Sequence, residues 1–303
     1  MRTPRCHLGV FGVHQLTRGT QLALRTRVVA TSFRAPLVEE DITPISVRGE
    51  PNGLAYDSRT DSLFAADDRS GAILRIESNI QARIAQIDAG GVVATHRLGG
   101  LTITPNGTLY AARLGHGRAG AIFCVEPNGA THEMLSLPST PWRLGVSHDL
   151  EDDVLYTTQF MKSASGPFDG AVIAIRLATG AATRLLDGLV KPVGVVKLEN
   201  RIVVTDAGQR SVFIVELRGG RPLTRVRLTS FDRPDSICAC GPDSVLITCF
   251  DDGLRRGSVK KLWLDGRTRE IAHGAWQPRG VATDGDRVFV SARRANQVLV
   301  FRL

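Results

Sequence analysis

The stretch Pro51-Asn-Gly-Leu-Ala-Tyr-Asp57, Ser62-Leu-Phe-Ala-Ala-Asp67, Ala72-Ile-Leu-Arg-Ile-Glu77 decides the fold. It reads as three short apolar runs separated by turn residues. Five further copies follow, opening at Gly99-Gly-Leu-Thr-Ile-Thr, Leu144-Gly-Val-Ser-His-Asp, Pro192-Val-Gly-Val-Val, Pro234-Asp-Ser-Ile-Cys and Pro278-Arg-Gly-Val-Ala. Aligned on Gly53, Gly100, Gly145, Gly194, Ser236 and Gly280, the copies recur every 42 to 49 residues. Repeats of about 40–50 residues, each carrying several short strands, specify a β-propeller. The expectation is an all-β, six-bladed β-propeller.

Each repeat supplies three clear strands, A, B and C. A weaker fourth is expected at Val92–Leu98, Thr131–Leu137, Ala182–Asp187 and Leu223–Leu228 in the first four. The sixth repeat reaches Leu303 after its third strand. Ile42–Arg48 has the alternation to supply the missing one, so an N-terminal strand closes the ring and leaves no free edge between the chain ends. The propeller spans residues 41–303. Residues 1–40 form a basic N-terminal extension, expected to be poorly ordered and to join no blade.

Composition narrows the function classes. Apolar residues make up 43% and charged residues 22% of 303, as in a globular protein rather than a disordered one. No run approaches the ~18 apolar residues of a membrane span, so no membrane partner is expected. The net charge of +8 is uneven: the first 38 residues hold six of the 38 basic side chains and no acid, leaving 32 against 30. The excess therefore sits in the tail, and no nucleic-acid partner is expected. The five cysteines show no C-x₂-C spacing; they read as reduced thiols in a reducing, cytoplasmic compartment. The Arg-rich, acid-free tail also resembles an organellar transit peptide. Neither a G-x-S-x-G elbow nor a phosphate loop is present.

In a meander blade, the D-to-A and B-to-C connections share one face of the disc. The residue before each anchor then opens onto the channel mouth: Asn52, Gly99, Leu144, Val193, Asp235 and Arg279. The residues closing strand B, among them Asp67, Arg113, Gln159 and Asp206, are placed near the same face. The B-to-C loops add Asp68, His116, Asp251, Asp252 and Arg293. The longest such loop, Gln159–Gly170 with Phe160, Met161 and Phe168, reads as a lid; the Asn79–Gly91 insertion is assigned to the far face. Asp67 and Asp206 stand where an aspartate ordinarily accepts backbone N–H groups from the following turn. Asp235 is the only acid in the mouth ring. Its carboxylate needs a cation: a metal, a substrate amine, or Arg279 of the next blade.

The first-repeat motif, together with Pro234-Asp-Ser-Ile and Val288-Phe-Val-Ser-Ala, resembles the gluconolactonase/regucalcin (senescence-marker-protein) family over residues 41–303. The resemblance implies six blades and hydrolysis of a small sugar lactone or related ester. It also implies one divalent metal (Ca, Zn or Mg) and no organic cofactor. The family takes its ligands from a first-blade Glu, a fourth-blade Asn and a fifth-blade Asp. Here Asn52, Val193 and Asp235 occupy those positions, and Leu144, with Arg143 beside it, stands at a third-blade polar position. The roles that follow are Asn52 and Asp235 for the metal and Asp235 and Asp206 for catalysis. Arg279, Arg113, Gln159, Arg143 and Asp67 are left for substrate. Two of the three ligand positions depart from the pattern. The alternative is a metal-free propeller that binds a ligand, or acts as a cyclase or lyase, as strictosidine-synthase-like and NHL-like propellers do. Leu144, Val193, Phe160 and Phe168 would give it an apolar mouth.

Overall fold

The structure is a computed structural model that describes residues 24–28, 42–77, 80–88, 97–115, 120–162, 168–229, 231–251, 256–274 and 276–303. Six antiparallel sheets are arranged as a ring. Two strands precede the first repeat, β1 (Leu24–Val28) and β2 (Thr43–Ser46). Blade 1 is β3 (Pro51–Asp57), β4 (Ser62–Asp67), β5 (Ala72–Glu77) and β6 (Ile80–Gln86). Blade 2 is β7 (Leu98–Ile103), β8 (Leu109–Arg113), β9 (Ala121–Val125) and β10 (Thr131–Glu133). Blade 3 is β11 (Trp142–Asp149), β12 (Val154–Lys162), β13 (Phe168–Arg176) and β14 (Ala182–Leu189). Blade 4 is β15 (Pro192–Leu198), β16 (Arg201–Asp206), β17 (Ser211–Arg218) and β18 (Arg221–Thr229). Blade 5 is β19 (Pro234–Ala239), β20 (Ser244–Asp251), β21 (Arg256–Trp263) and β22 (Thr268–Gly274). Blade 6 is β23 (Pro278–Thr283), β24 (Arg287–Ala292) and β25 (Gln297–Arg302), completed by β2.

Closure is as expected: β2 pairs antiparallel with β25, from Thr43 against Val300 to Ser46 against Gln297. The innermost strands β3, β7, β11, β15, β19 and β23 each adjoin the next, and β23 returns to β3. Aliphatic residues alternate along them, so each sheet offers apolar side chains to both neighbours. The described core accordingly divides into six clusters, one at each blade junction. Ala55, Phe64 and Leu101 pack between blades 1 and 2; Leu54, Ala282 and Phe289 pack between blades 6 and 1. Among the described residues no helix is long and apolar enough to cross a membrane.

Three elements differ from expectation. The outer strand of blade 1 is β6, not Val92–Leu98; Leu98 opens blade 2, and residues 89–96 lie outside the described residues. Pairing of Glu77 with Ile80 places β6 inside the segment assigned to a far-face connection. Its half-exposed pattern carries only a weak period-two signal. The N-terminal extension does contribute a strand: β1 pairs in parallel with β18, Leu24 against Arg225 through Val28 against Thr229, as a fifth strand on blade 4. The remainder of residues 1–40 lies outside the described residues. Finally, the supposed lid is mostly hairpin, since β12 runs on to Lys162 and β13 starts at Phe168.

Candidate functional site

Every innermost strand carries a bulge at the anchor. In blade 1 the pairing jumps from Pro51–Asp67 to Leu54–Ala65, leaving Asn52 and Gly53 opposite Ala66 alone. The same jump brackets Gly99 and Gly100, Leu144 and Gly145, Val193 and Gly194, Asp235 and Ser236, and Arg279 and Gly280. A bulge re-aims the side chain of one of its two residues. Here it turns the residue before the anchor toward the channel mouth. The anchor itself is small because the next blade approaches closely. A Cβ on Gly53 would stand 2.2 Å from the Gly99 carbonyl oxygen, and one on Gly280 would stand 2.1 Å from that of Asn52.

Opposite each bulge, strand B offers one small residue, and in four blades it is a hydroxyl. Thr158 accepts from Gly145 N (2.8 Å) and donates to the Val193 carbonyl of the next blade (3.1 Å). Thr205 bridges Gly194 N to the Asp235 carbonyl. Thr248 bridges Ser236 N to Arg279 O, and Ser291 bridges Gly280 N to Asn52 O. These bonds fix the carbonyls flanking the mouth residues, so Val193, Asp235, Arg279 and Asn52 project from a stitched rim. Blades 1 and 2 have Ala66 and Ala112 instead.

The mouth is a cavity of about 220 Å³. Asn52, Leu144, Val193, Asp235 and Arg279 of the predicted ring line it. Arg279 Nη1 donates to Asp235 Oδ2 at 2.5 Å, so the cation beside Asp235 is the neighbouring guanidinium. Asn52 turns its amide nitrogen onto the Leu98 carbonyl at 2.7 Å. Around this pair stand Asp68, Arg97, Lys191, Arg233 and Arg293. The Arg293 guanidinium reaches Asp68 Oδ2 at 2.7 Å and Glu50 Oε2 at 3.0 Å. Burial pushes the Asp68 carboxyl above the usual carboxylate range, against the pull of Arg293, Arg97 and Arg279, while Glu50 adds to the rise.

The residues closing strand B go elsewhere, which corrects their expected place at the mouth. Asp206 is fully buried, and its carboxylate accepts from the backbone N–H groups of Val190, Lys191, Gly208 and Gln209 at 2.8–3.0 Å and from Gln209 Nε2. It staples the entry of β15 to the turn after β16 and is not placed as a base. Asp67 does the same in blade 1, holding Glu50 N, Arg69 N and Ser70 Oγ. Arg113 runs to the Asp88 carbonyl and lies over the Phe123 ring, 4.7 Å from its centroid. Gln159 accepts from Arg143, which is wholly buried and also donates to the Pro138 carbonyl. Burial lowers the Arg143 guanidinium to about 10. None of Asp67, Arg113, Arg143, Gln159 and Asp206 lines the mouth cavity. The reason is the period of two along a strand: Asp68, Leu114, Ala207, Phe250 and Arg293, one position later, do line it.

The expected apolar lid is corrected too. Phe160 is 1% exposed and packs edge-on against Trp142 and Phe168, at centroid distances of 5.3 and 5.9 Å. These aromatics form a core beside the mouth. Sequence reasoning missed Arg97, Lys191 and Arg233. They stand two positions before the mouth residues Gly99, Val193 and Asp235, a spacing that could have found them. His116 and Asp252 lie outside the described residues, as does the Asp251 side chain.

The donor set does not fit a divalent metal. Among the described residues no group of three or more His, Cys, Asp or Glu side chains gathers to hold one. At the mouth both carboxylates are taken by guanidinium groups. A hard cation placed there would face Arg97, Arg233, Arg279 and Arg293 rather than the six or more oxygens that calcium requires.

No family model and no curated protein matches the chain. Solved structures share its fold. A gluconolactonase from Xanthomonas campestris superposes with a TM-score of 0.70 at 14% identity, over 86% of this chain and 89% of that one. A luciferin-regenerating enzyme gives 0.66 at 12%, over 86% and 96%. Virginiamycin B lyase from Staphylococcus aureus, solved with quinupristin, gives 0.59 at 12%, over 86% and 99%. The likeness to the gluconolactonase is a likeness of the six-bladed propeller fold.

Proposed function

We propose that the mouth binds a small organic anion and hydrolyses a lactone or ester within it, by acid–base chemistry that needs no resident divalent metal. The convergence of Arg97, Lys191, Arg233, Arg279 and Arg293 on Asp68 and Asp235 in one cavity supports this reading. Guanidinium groups pair with carboxylate or phosphate through two parallel hydrogen bonds, a geometry suited to orienting an anionic substrate. Asp68 is the proton-transfer group: burial raises its carboxyl above the usual carboxylate range, the direction that makes a carboxylate a stronger base. In the forward step water adds to the carbonyl carbon. Asp68 takes the water's proton, and Arg279 holds the developing oxyanion. The carbon–oxygen bond to the leaving group then breaks, and the proton on Asp68 passes to the departing alkoxide.

The likeness to lactonases supports the reaction class, and the cationic mouth supports the charge of the substrate. The test is a panel of lactones and esters, neutral and carrying a carboxylate or phosphate, with and without a chelator. Turnover of the anionic members that survives the chelator and falls at least ~100-fold in Asp68→Asn is expected. Turnover abolished by the chelator overturns the metal-free mechanism. Tight binding of the anions without turnover favours the second reading, a ligand-binding propeller, for which the same arginines would serve.

A further inference from the structure

A second cavity, of about 370 Å³, opens beside the first on blade 6 and is lined by Glu50, Gln277, Arg279, Arg293, Arg294 and Asn296. Arg279 and Arg293 line both cavities. Each of the two is already tied on its inner side, Arg279 to Asp235 and Arg293 to Asp68. Arg279 also keeps a buried Nε with no hydrogen-bond partner. Together the two cavities carry six cationic side chains and three acids. That surplus of three exceeds the surplus of two for everything after residue 38. The body of the protein is close to neutral, so a local surplus of three at these two cavities is a feature of the site and not of the overall composition.

One monoanion does not account for such an arrangement. The inner cavity already has Arg97, Lys191 and Arg233 facing the Asp235–Arg279 pair. The outer one adds Arg294, the middle residue of the short 3₁₀ turn Arg293–Ala295. Gln277 is 9% exposed and offers an amide to the same space.

We infer that the natural ligand is a dianion with its charges at two ends. One carboxylate or phosphate sits in the inner cavity against Arg279 and Arg233. A short organic spacer crosses the wall made by Arg279 and Arg293. The second anionic group lies in the outer cavity against Arg293 and Arg294. This inference rests on the proposed anion-binding mouth and names the class of molecule it takes. A second charge-assisted contact, made by a ligand already held at its first end, raises affinity by about tenfold or more.

The experiment is calorimetric titration of the full chain with four probes: acetate, glutarate, inorganic phosphate and propane-1,3-diyl bisphosphate. Each is also titrated into Arg294→Ala and Arg233→Ala. The two probe pairs separate carboxylate from phosphate chemistry. The expected result is that the two-ended probe of at least one pair binds about tenfold or more tighter than its one-ended partner. Arg294→Ala should bring it down to the one-ended level while leaving the one-ended probe unchanged. Arg233→Ala should weaken both. One-ended and two-ended probes binding alike, or Arg294→Ala weakening both equally, overturns the two-cavity ligand while the mouth survives as an anion site. No binding of any probe to the wild type overturns both. Melting curves of the two variants, expected to overlay that of the wild type, show that the comparison is between folded proteins.

Discussion

Arg279 and Asp235 meet across the junction of blades 5 and 6, Nη1 to Oδ2, 2.5 Å apart. Both stand at the first position of a strand bulge, one blade apart in the ring. Their side chains are 30% and 17% exposed, so each shields the other from most of the solvent. Asp235→Asn keeps the shape and removes the charge, leaving the guanidinium without its partner. The expected cost is ~1–3 kcal/mol by chemical denaturation. Adding Arg279→Gln should return part of it, because the uncompensated charge is then gone.

Asp206→Ala should cost more in stability and nothing in chemistry. Five hydrogen bonds converge on that buried carboxylate, four of them from backbone N–H groups. A loss of about 2–4 kcal/mol is expected. Turnover per folded molecule, measured at a temperature where the variant is fully folded, should match the wild type. A catalytic loss there would return Asp206 to the site.

Thr158→Val removes one hydroxyl bridge and keeps the shape of the side chain. Gly145 N and the Val193 carbonyl lose their shared partner at the junction of blades 3 and 4. The expected penalty is about 1–3 kcal/mol, read as a lower denaturant midpoint with an unchanged slope.

These assignments show where sequence and structure part. The repeat was legible because a small anchor and a preceding mouth residue recur in all six copies, and both have steric causes visible in one chain. The ring closure was legible because the last copy lacked a strand. The site was legible only by half. Asp235, Arg279 and Asn52 precede the anchor and follow from its position. Asp67, Arg113, Gln159 and Asp206, which close strand B, stand one step out of phase with the mouth. A strand's terminal side chain points to one face and its successor to the other, and the bulge shifts which of them reaches the channel. β1 escaped notice because parallel pairing on an outer edge leaves no alternation requirement in so short a strand.

Asp68 gives a pH signature. Its folded-state pKa is raised above the unfolded value, so the protonated form is favoured by folding. The associated stability is fully present below the ordinary carboxylate pKa of about 4 and is lost as pH rises through the raised value. Asp68→Asn cannot titrate. Its melting temperature minus that of the wild type should therefore increase with pH across that window and level off above it. A difference that stays flat would show that Asp68 has an unshifted carboxyl, and its role in proton transfer would fall with it.

Ring closure can be read by truncation. Removing residues 1–30 deletes β1, which lies outside the four-stranded blade, and should lower the melting temperature by only a few degrees. Removing residues 1–48 deletes β2, exposes the edge of β25 and should abolish the cooperative transition in a calorimetric scan.

Because β2 and β25 lie side by side, the first and last strands of the propeller ring meet in one blade. Joining residue 303 to residue 42 through a short linker and opening the chain between Gly219 and Gly220 would preserve every blade. Those two glycines form an outer turn with φ of +57° and +72° and nothing within 4 Å of a would-be Cβ.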